Sequence, residues 1–168
     1  MQRNSGILSK EMAEAAVAIL RPGIEQLIKD QNRMAVAIVI LDPAGVAAYQ
    51  GPQDDLPILL ETVIGNPDRT QWKSKFDESA RKKATISLRT RMSTHLVAAD
   101  QPYLFENGDF KYGGSDVRGY QITASGGLAW EYDYLISAAL NAIMQALSLA
   151  AMRIERENKA CSHIGERP

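Results

Sequence analysis

Lys83 and the stretch Ala124-Ser125-Gly126-Gly127 are the residues of this sequence best suited to hold an anion. Phe76, Ala80, Ala84 and Leu88 recur every four residues, which marks the buried face of a helix. Their i+3 neighbours Ser79, Lys83 and Ser87 lie on or beside that face. A lysine so placed must meet a carboxylate, carbonyl groups or an anionic ligand, or run its stem out to water. The Ser125-Gly126-Gly127 run follows a β-prone stretch (Tyr120, Ile122) and precedes a long helix. Small residues at a strand-to-helix turn let a ligand or another backbone approach, and the helix start adds free N–H groups and a positive dipole end. Lys83 is therefore expected to project toward this turn and leave a cavity for an anionic group. A tight turn without a ligand, and a lysine paired internally or reaching to water, are the plainer alternatives. If the lysine serves a ligand, Lys83→Met should keep stability while costing about 1.5–3 kcal/mol of affinity.

Other chemistry is sparsely provided. The two histidines are His95, in Arg91-Met-Ser-Thr-His95, and His163 near the C-terminal end. The sequence has no His-x-x-x-His, paired cysteines or Glu-x-x-His, so a structural zinc site is not expected. Ser125 lacks the Gly-x-Ser-x-Gly context of a hydrolase nucleophile, and phosphate-loop and dinucleotide fingerprints are absent. Glu131 and Asp133 read as ordinary first-turn acids that suit the dipole of the last helix.

Composition sets the frame that must position these residues. The 168 residues are 45% hydrophobic and 23% charged, as in an ordinary globular chain, and suffice for one domain over 1–168. Its core is expected over about 9–152, with a polar tail at 153–168 that frays. A net charge of −1 gives no electrostatic case for nucleic acid or an anionic membrane. The single Cys161 excludes an internal disulfide, and Glu11 and Glu14 interrupt any secretory pattern, so a cytoplasmic location is expected. Leu135 to Met152 is uncharged and long enough to cross a membrane. Within it, however, Ser137, Asn141, Gln145 and Ser148 form one polar stripe, which favours a helix buried on most sides by a sheet or a partner subunit.

The elements follow from periodicity. A first helix should start at the N-cap Ser9, present Met12, Ala16, Ile19 and Leu20, and break or kink at Pro22-Gly23. Met34 to Leu41 reads as a strand covered on both faces. Asp42-Pro43-Ala44-Gly45 reads as a turn, with Val46 to Tyr49 returning as the second strand of a hairpin. A long connection over 50–70, including Pro52, should carry a helical turn at Leu56–Ile64. A second helix runs from Asp68 or Thr70 to Met92. Asn107-Gly108 and Gly113-Gly114 look like turns between short strands, and a long helix closes the domain. Hairpins without parallel crossovers imply an α+β domain whose antiparallel sheet is flanked by helices.

Several of these segments resemble one family. Gly113-Gly114, Ala124-Ser125-Gly126, Glu131 and Asp133 before an alanine-rich helix are similar to the C-terminal signature of the small haem-binding, or haem-degrading, family (GlcG, HbpS and the PduO C-terminal domain). Val39-Ile-Leu-Asp42-Pro-Ala-Gly45 resembles its first hairpin, and Lys83-Ala84-Thr85 its central helix motif; the resemblance covers roughly residues 10–150. It implies a five-stranded antiparallel sheet flanked by helices, and homo-oligomers from dimer to octamer. It also implies haem as a cofactor, in a protein that serves as an accessory in a catabolic pathway. The chain departs from the family in a longer 50–75 segment carrying Trp72 and a shorter span between Gly114 and Ser125. His95 is the imidazole available inside the fold as an iron ligand, with Met92 and Tyr103 as other candidates. The alternative is an enzyme or enzyme accessory for a small anionic or aromatic metabolite. Lys83 and the Ser125, Gly126 and Gly127 backbone would then hold the carboxylate, with Trp72, Tyr103 and Tyr112 as aromatic walls. A third reading is an inert structural assembly protein. The outer residues of the 130–152 helix (Leu135, Ala139, Ile143, Ala146, Ala150) exceed what one sheet face covers, so assembly through that helix is expected.

Overall fold

The computed structural model describes residues 8–51 and 55–164, and side chains up to residue 159. Pro52, the Cys161 and His163 side chains, and residues 165–168 lie outside that description. Helix α1 (Lys10–Asp30) starts at Ser9, whose side chain accepts from the Met12 amide at 3.3 Å. Pro22 and Gly23 do not break it. Both are exposed, so the carbonyl left without a partner by Pro22 meets water, and the apolar face continues through Ile24 and Ile28. Strand β1 (Ala35–Leu41) is buried along its whole length, as its uninterrupted apolar run predicts.

The hairpin expected next is absent. Asp42 accepts from the Ala44 amide at 3.1 Å and Pro43 takes the first helical position, so Pro43–Ala48 forms helix α2 around a buried Val46. Asp-Pro serves a helix start as well as a turn, and the buried valine decides between them. The antiparallel partner of β1 is instead β2 (Ile58–Gly65), where a helical turn was the expectation. One strand edge there is unpaired, which explains the half-buried pattern that blurs any alternation in the sequence. A 3-10 turn (Arg69–Gln71) leads into helix α3 (Phe76–Thr90), shorter at its start than expected. Helix α4 (Thr94–Asp100) follows, then strands β3 (Ser115–Arg118) and β4 (Gln121–Gly126), and helix α5 (Trp130–Ile164). The β3–β4 turn lies at Gly119-Tyr120, at neither Asn107-Gly108 nor Gly113-Gly114. Ion pairs Arg153–Glu157 and Lys159–Glu155 at i,i+4 spacing support the last turns of α5, so the tail is helical to Ile164 where fraying was expected.

The sheet is antiparallel, in the order β2-β1-β4-β3. Among the described residues it has four strands against the five implied by the resemblance. At the outer edge of β3, side chains from the start of α4 take the place of a fifth strand: Ser93 accepts from the Val117 amide at 3.1 Å and Thr94 from the Ser115 amide at 3.3 Å. Helix α3 covers one face, packing Phe76, Ala80, Ala84 and Leu88 on Val39, Leu41, Ile122 and Ala124. Helices α1 and α5 cover the other, joining Ala13, Val17, Ile24, Ile38, Ile136, Leu140 and Met144. The first half of the polar stripe of α5 faces inward: Ser137 and Asn141 are fully buried against β4, with Thr123 Oγ1 2.7 Å from Asn141 Oδ1, whereas Gln145 is exposed.

Candidate functional site

Helix α3 turns Lys83 inward, as its spacing predicts, and β4 ends at the Ser125-Gly126-Gly127 turn directly opposite. Lys83 Nζ donates to the Ser125 carbonyl and to Asp133 Oδ2, both at 2.9 Å, with the two side chains only 4% and 3% exposed. The anion that meets the lysine is thus one of the chain's own carboxylates. Asp133 also fills the anion site of the turn, since its carboxylate accepts from the Leu128 amide at 3.1 Å and from the Gly127 amide. Burial pushes the Asp133 carboxyl above its usual range, outweighing the Lys83 charge and the amide hydrogen bonds that pull it down. Ser125 Oγ donates to the Asp133 carbonyl at 2.7 Å, and Ser137 donates to the Gly114 carbonyl at 2.8 Å.

Two glycines make this packing possible. Gly114 takes φ +129, and a Cβ there would stand 2.5 Å from Lys83 Nζ. A Cβ on Gly126 would stand 2.8 Å from the Phe76 carbonyl oxygen, so the first turn of α3 rests directly on the end of β4.

Beside the pair opens a cleft of about 490 Å³, a size usual for small-molecule sites. Lys83, Asp133, Ser79 and Gly127 line it together with an apolar wall of Phe76, Phe110, Tyr112, Leu128 and Trp130. Two further cations reach it. Among the described residues Lys82 touches only the Gly108 carbonyl (3.3 Å) and the Phe110 ring (5.1 Å to its centroid). The Arg33 guanidinium has no side-chain partner among the described residues. Lys75, also in the lining, is paired with Glu78 at 3.1 Å.

The other sequence candidates lie elsewhere. His95 sits on α4 with its ring 4.2 Å from that of Tyr134, and its Nδ1 is buried without a hydrogen-bond partner among the described residues. It lines a smaller hollow of about 290 Å³ with Lys111 and Gly113, which shares Tyr112 and Trp130 with the cleft. Trp72 donates to the Asn66 carbonyl at 2.8 Å and packs on Phe76, outside the cleft lining. Tyr103 is 76% exposed and lines neither hollow. Among the described residues no group of three or more His, Cys, Asp or Glu side chains is gathered as a metal site.

Sequence reasoning missed Arg33, Phe110, Trp130 and above all Asp133. The signal for Asp133 was present: the stripe Ser137, Asn141, Gln145, Ser148 continues one step back, at i−4, to Asp133. A stripe that faces the sheet at Ser137 faces it at Asp133 too.

No protein-family model matches the sequence, and no curated protein does. Solved structures share the fold. The Ybr137w protein superposes with a TM-score of 0.56 at 15% identity, over 82% of this chain and 79% of its own. The ORFY protein of Klebsiella pneumoniae gives 0.51 at 16% identity, over 79% and 89%. A double mutant of HbpS from Streptomyces reticuli gives 0.51 at 18% identity, over 85% and 89%. The chain therefore has the α+β fold of these proteins.

Proposed function

We propose that the protein binds a small organic anion with a flat apolar body in the cleft between α3 and the start of α5. The observation that carries this reading is the pairing of charge and surface in one open hollow. Among the described residues Arg33 has no ion-pair partner and Lys82 meets only a carbonyl and a ring, and both border a wall of Phe110, Tyr112, Leu128 and Trp130. Arg33 suits a carboxylate because its guanidinium offers two parallel N–H donors, and Lys82 adds a point charge. Lys83 supports the site from behind and contributes little free charge, since Asp133 already meets it. Titration of benzoate and indole-3-acetate against benzamide, followed by calorimetry, tests the reading. The anions should bind at least about tenfold more tightly than the neutral amide, and Arg33→Gln should remove most of that preference, as expected for a charge-assisted contact worth about 1.5–3 kcal/mol. Equal binding of amide and acid, or none of either, would overturn it.

Haem is the second reading, implied by the family resemblance. The cleft cations suit its propionates, but among the described residues no His, Cys or Met lines the cleft, which leaves Tyr112 as its one side chain of a type that ligates haem iron. One observation favours haem nonetheless: the unpartnered His95 Nδ1 in the adjoining hollow. A Soret band after haem titration that is lost in His95→Ala would support it.

The working form of the protein, on this proposal, is a cytoplasmic homo-oligomer. Helix α5 is long and apolar enough to cross a membrane by length and composition, and only 28% of its most apolar window is buried in the single chain. Its inner stripe is tied to the sheet by Asp133, Ser137 and Asn141, which would be stranded in lipid. A second copy covering Leu135 and Leu149, 54% and 65% exposed, resolves the outer face.

A further inference from the structure

We infer that Lys83 is an amine nucleophile toward carbonyl compounds bearing an anionic group, with 2-oxo acids the class the cleft fits, and that Asp133 is its proton partner. The inference rests on the cleft reading above, since Arg33 and Lys82 would hold the carboxylate of such a compound. Three observations carry it. First, Lys83 and Asp133 are nearly excluded from water yet both line an open cleft. Second, the ammonium has three N–H donors, and the described residues supply two acceptors, Ser125 O and Asp133 Oδ2. One N–H position is left for an incoming carbonyl group. Third, a buried ion pair is seldom needed for stability, because apolar residues of like volume serve as well, whereas sheltered lysines are the ones that form imines. The upward push of burial on the Asp133 carboxyl makes it a better base for the adjoining ammonium.

The step balances without an oxidant or reductant. Asp133 takes a proton from the ammonium, and the freed nitrogen lone pair attacks the carbonyl carbon. The C–N bond forms as the C=O π pair moves to oxygen, which takes the proton back and gives a carbinolamine. The nitrogen lone pair then expels the hydroxyl group, which leaves as water with a second nitrogen proton delivered through Asp133. Ammonium and carbonyl have become a protonated imine and one water.

Incubation of the whole protein with phenylpyruvate and sodium cyanoborohydride, followed by peptide mass spectrometry, tests the inference. The reduced adduct is expected on Lys83, forming on the order of tenfold or more faster than on exposed lysines such as Lys111, the advantage of a positioned acid–base partner. Arg33→Gln, which removes the charge proposed to hold the carboxylate, should slow labelling of Lys83 by phenylpyruvate. If benzoate binds and Lys83 stays unlabelled, or is labelled no faster than surface lysines, the inference is overturned while the cleft reading stands. If neither benzoate nor phenylpyruvate binds, the cleft reading fails and takes the inference with it.

Discussion

Lys83 and Asp133 form a unit whose members depend on one another more than on any ligand, and this reverses the simplest expectation for Lys83→Met. The substitution leaves a buried carboxylate alone, so stability should fall by about 3 kcal/mol, the lower end for a broken buried pair because the carboxyl can take up a proton instead. Urea unfolding would measure this, and a Lys83→Met variant as stable as the parent would show that the pair is not buried in solution. Adding Asp133→Leu should recover most of the loss, short of about 1 kcal/mol for the amide contacts Asp133 makes at the helix start. The pH dependence has a fixed sign. A carboxyl raised above 3.8 in the folded state binds its proton more tightly there than when unfolded. Its contribution to stability is therefore greatest below 3.8 and is lost as pH rises through the raised value. Asp68, lowered by the Thr70 hydroxyl and amide and by Gln71, has the opposite sign. Carboxyl-carbon NMR should find Asp133 titrating above 3.8 and Asp68 below it; Asp133 at or below 3.8 would contradict the burial argument. The inward lysine is legible in the sequence because four-residue spacing fixes its side of the helix. Its partner is hidden by a habit of reading first-turn acids as surface groups, although the polar stripe on the same helix already points to Asp133.

Elements with one dominant signal are legible from sequence, and those resting on shared signals are not. The fully apolar β1, the Ser9 cap and the buried face of α3 each have a single physical cause that operates locally. Asp42-Pro43 begins both turns and helices, and only the burial of Val46 under the sheet selects α2. Edge strand β2 is half-buried on an open side, so its period is blurred. The missing fifth strand depends on contacts between segments 21 residues apart and more, which no local pattern records. That edge gives a test at its own scale. Thr94→Val removes the acceptor for the buried Ser115 amide while keeping the shape, so it should cost about 1–3 kcal/mol and raise amide exchange at Ser115. Unchanged exchange at Ser115 would mean that the α4 start does not seal the sheet.

The whole molecule presents an apolar outer face on α5 and an open cleft whose wall includes Trp130, the first residue of the same helix. Light scattering at micromolar concentration should find a dimer or larger species, and Leu149→Glu should shift it toward smaller ones without unfolding, since Leu149 touches little of its own chain. A parent protein that is monomeric would contradict assembly through α5. The cleft is the larger claim, and amide chemical-shift mapping during titration with an aromatic carboxylate tests it most directly. Saturable shifts are expected at Arg33, Lys82, Tyr112, Leu128 and Trp130, weakened in Arg33→Gln. Saturable shifts confined to other surfaces, or none at these five residues, would contradict it.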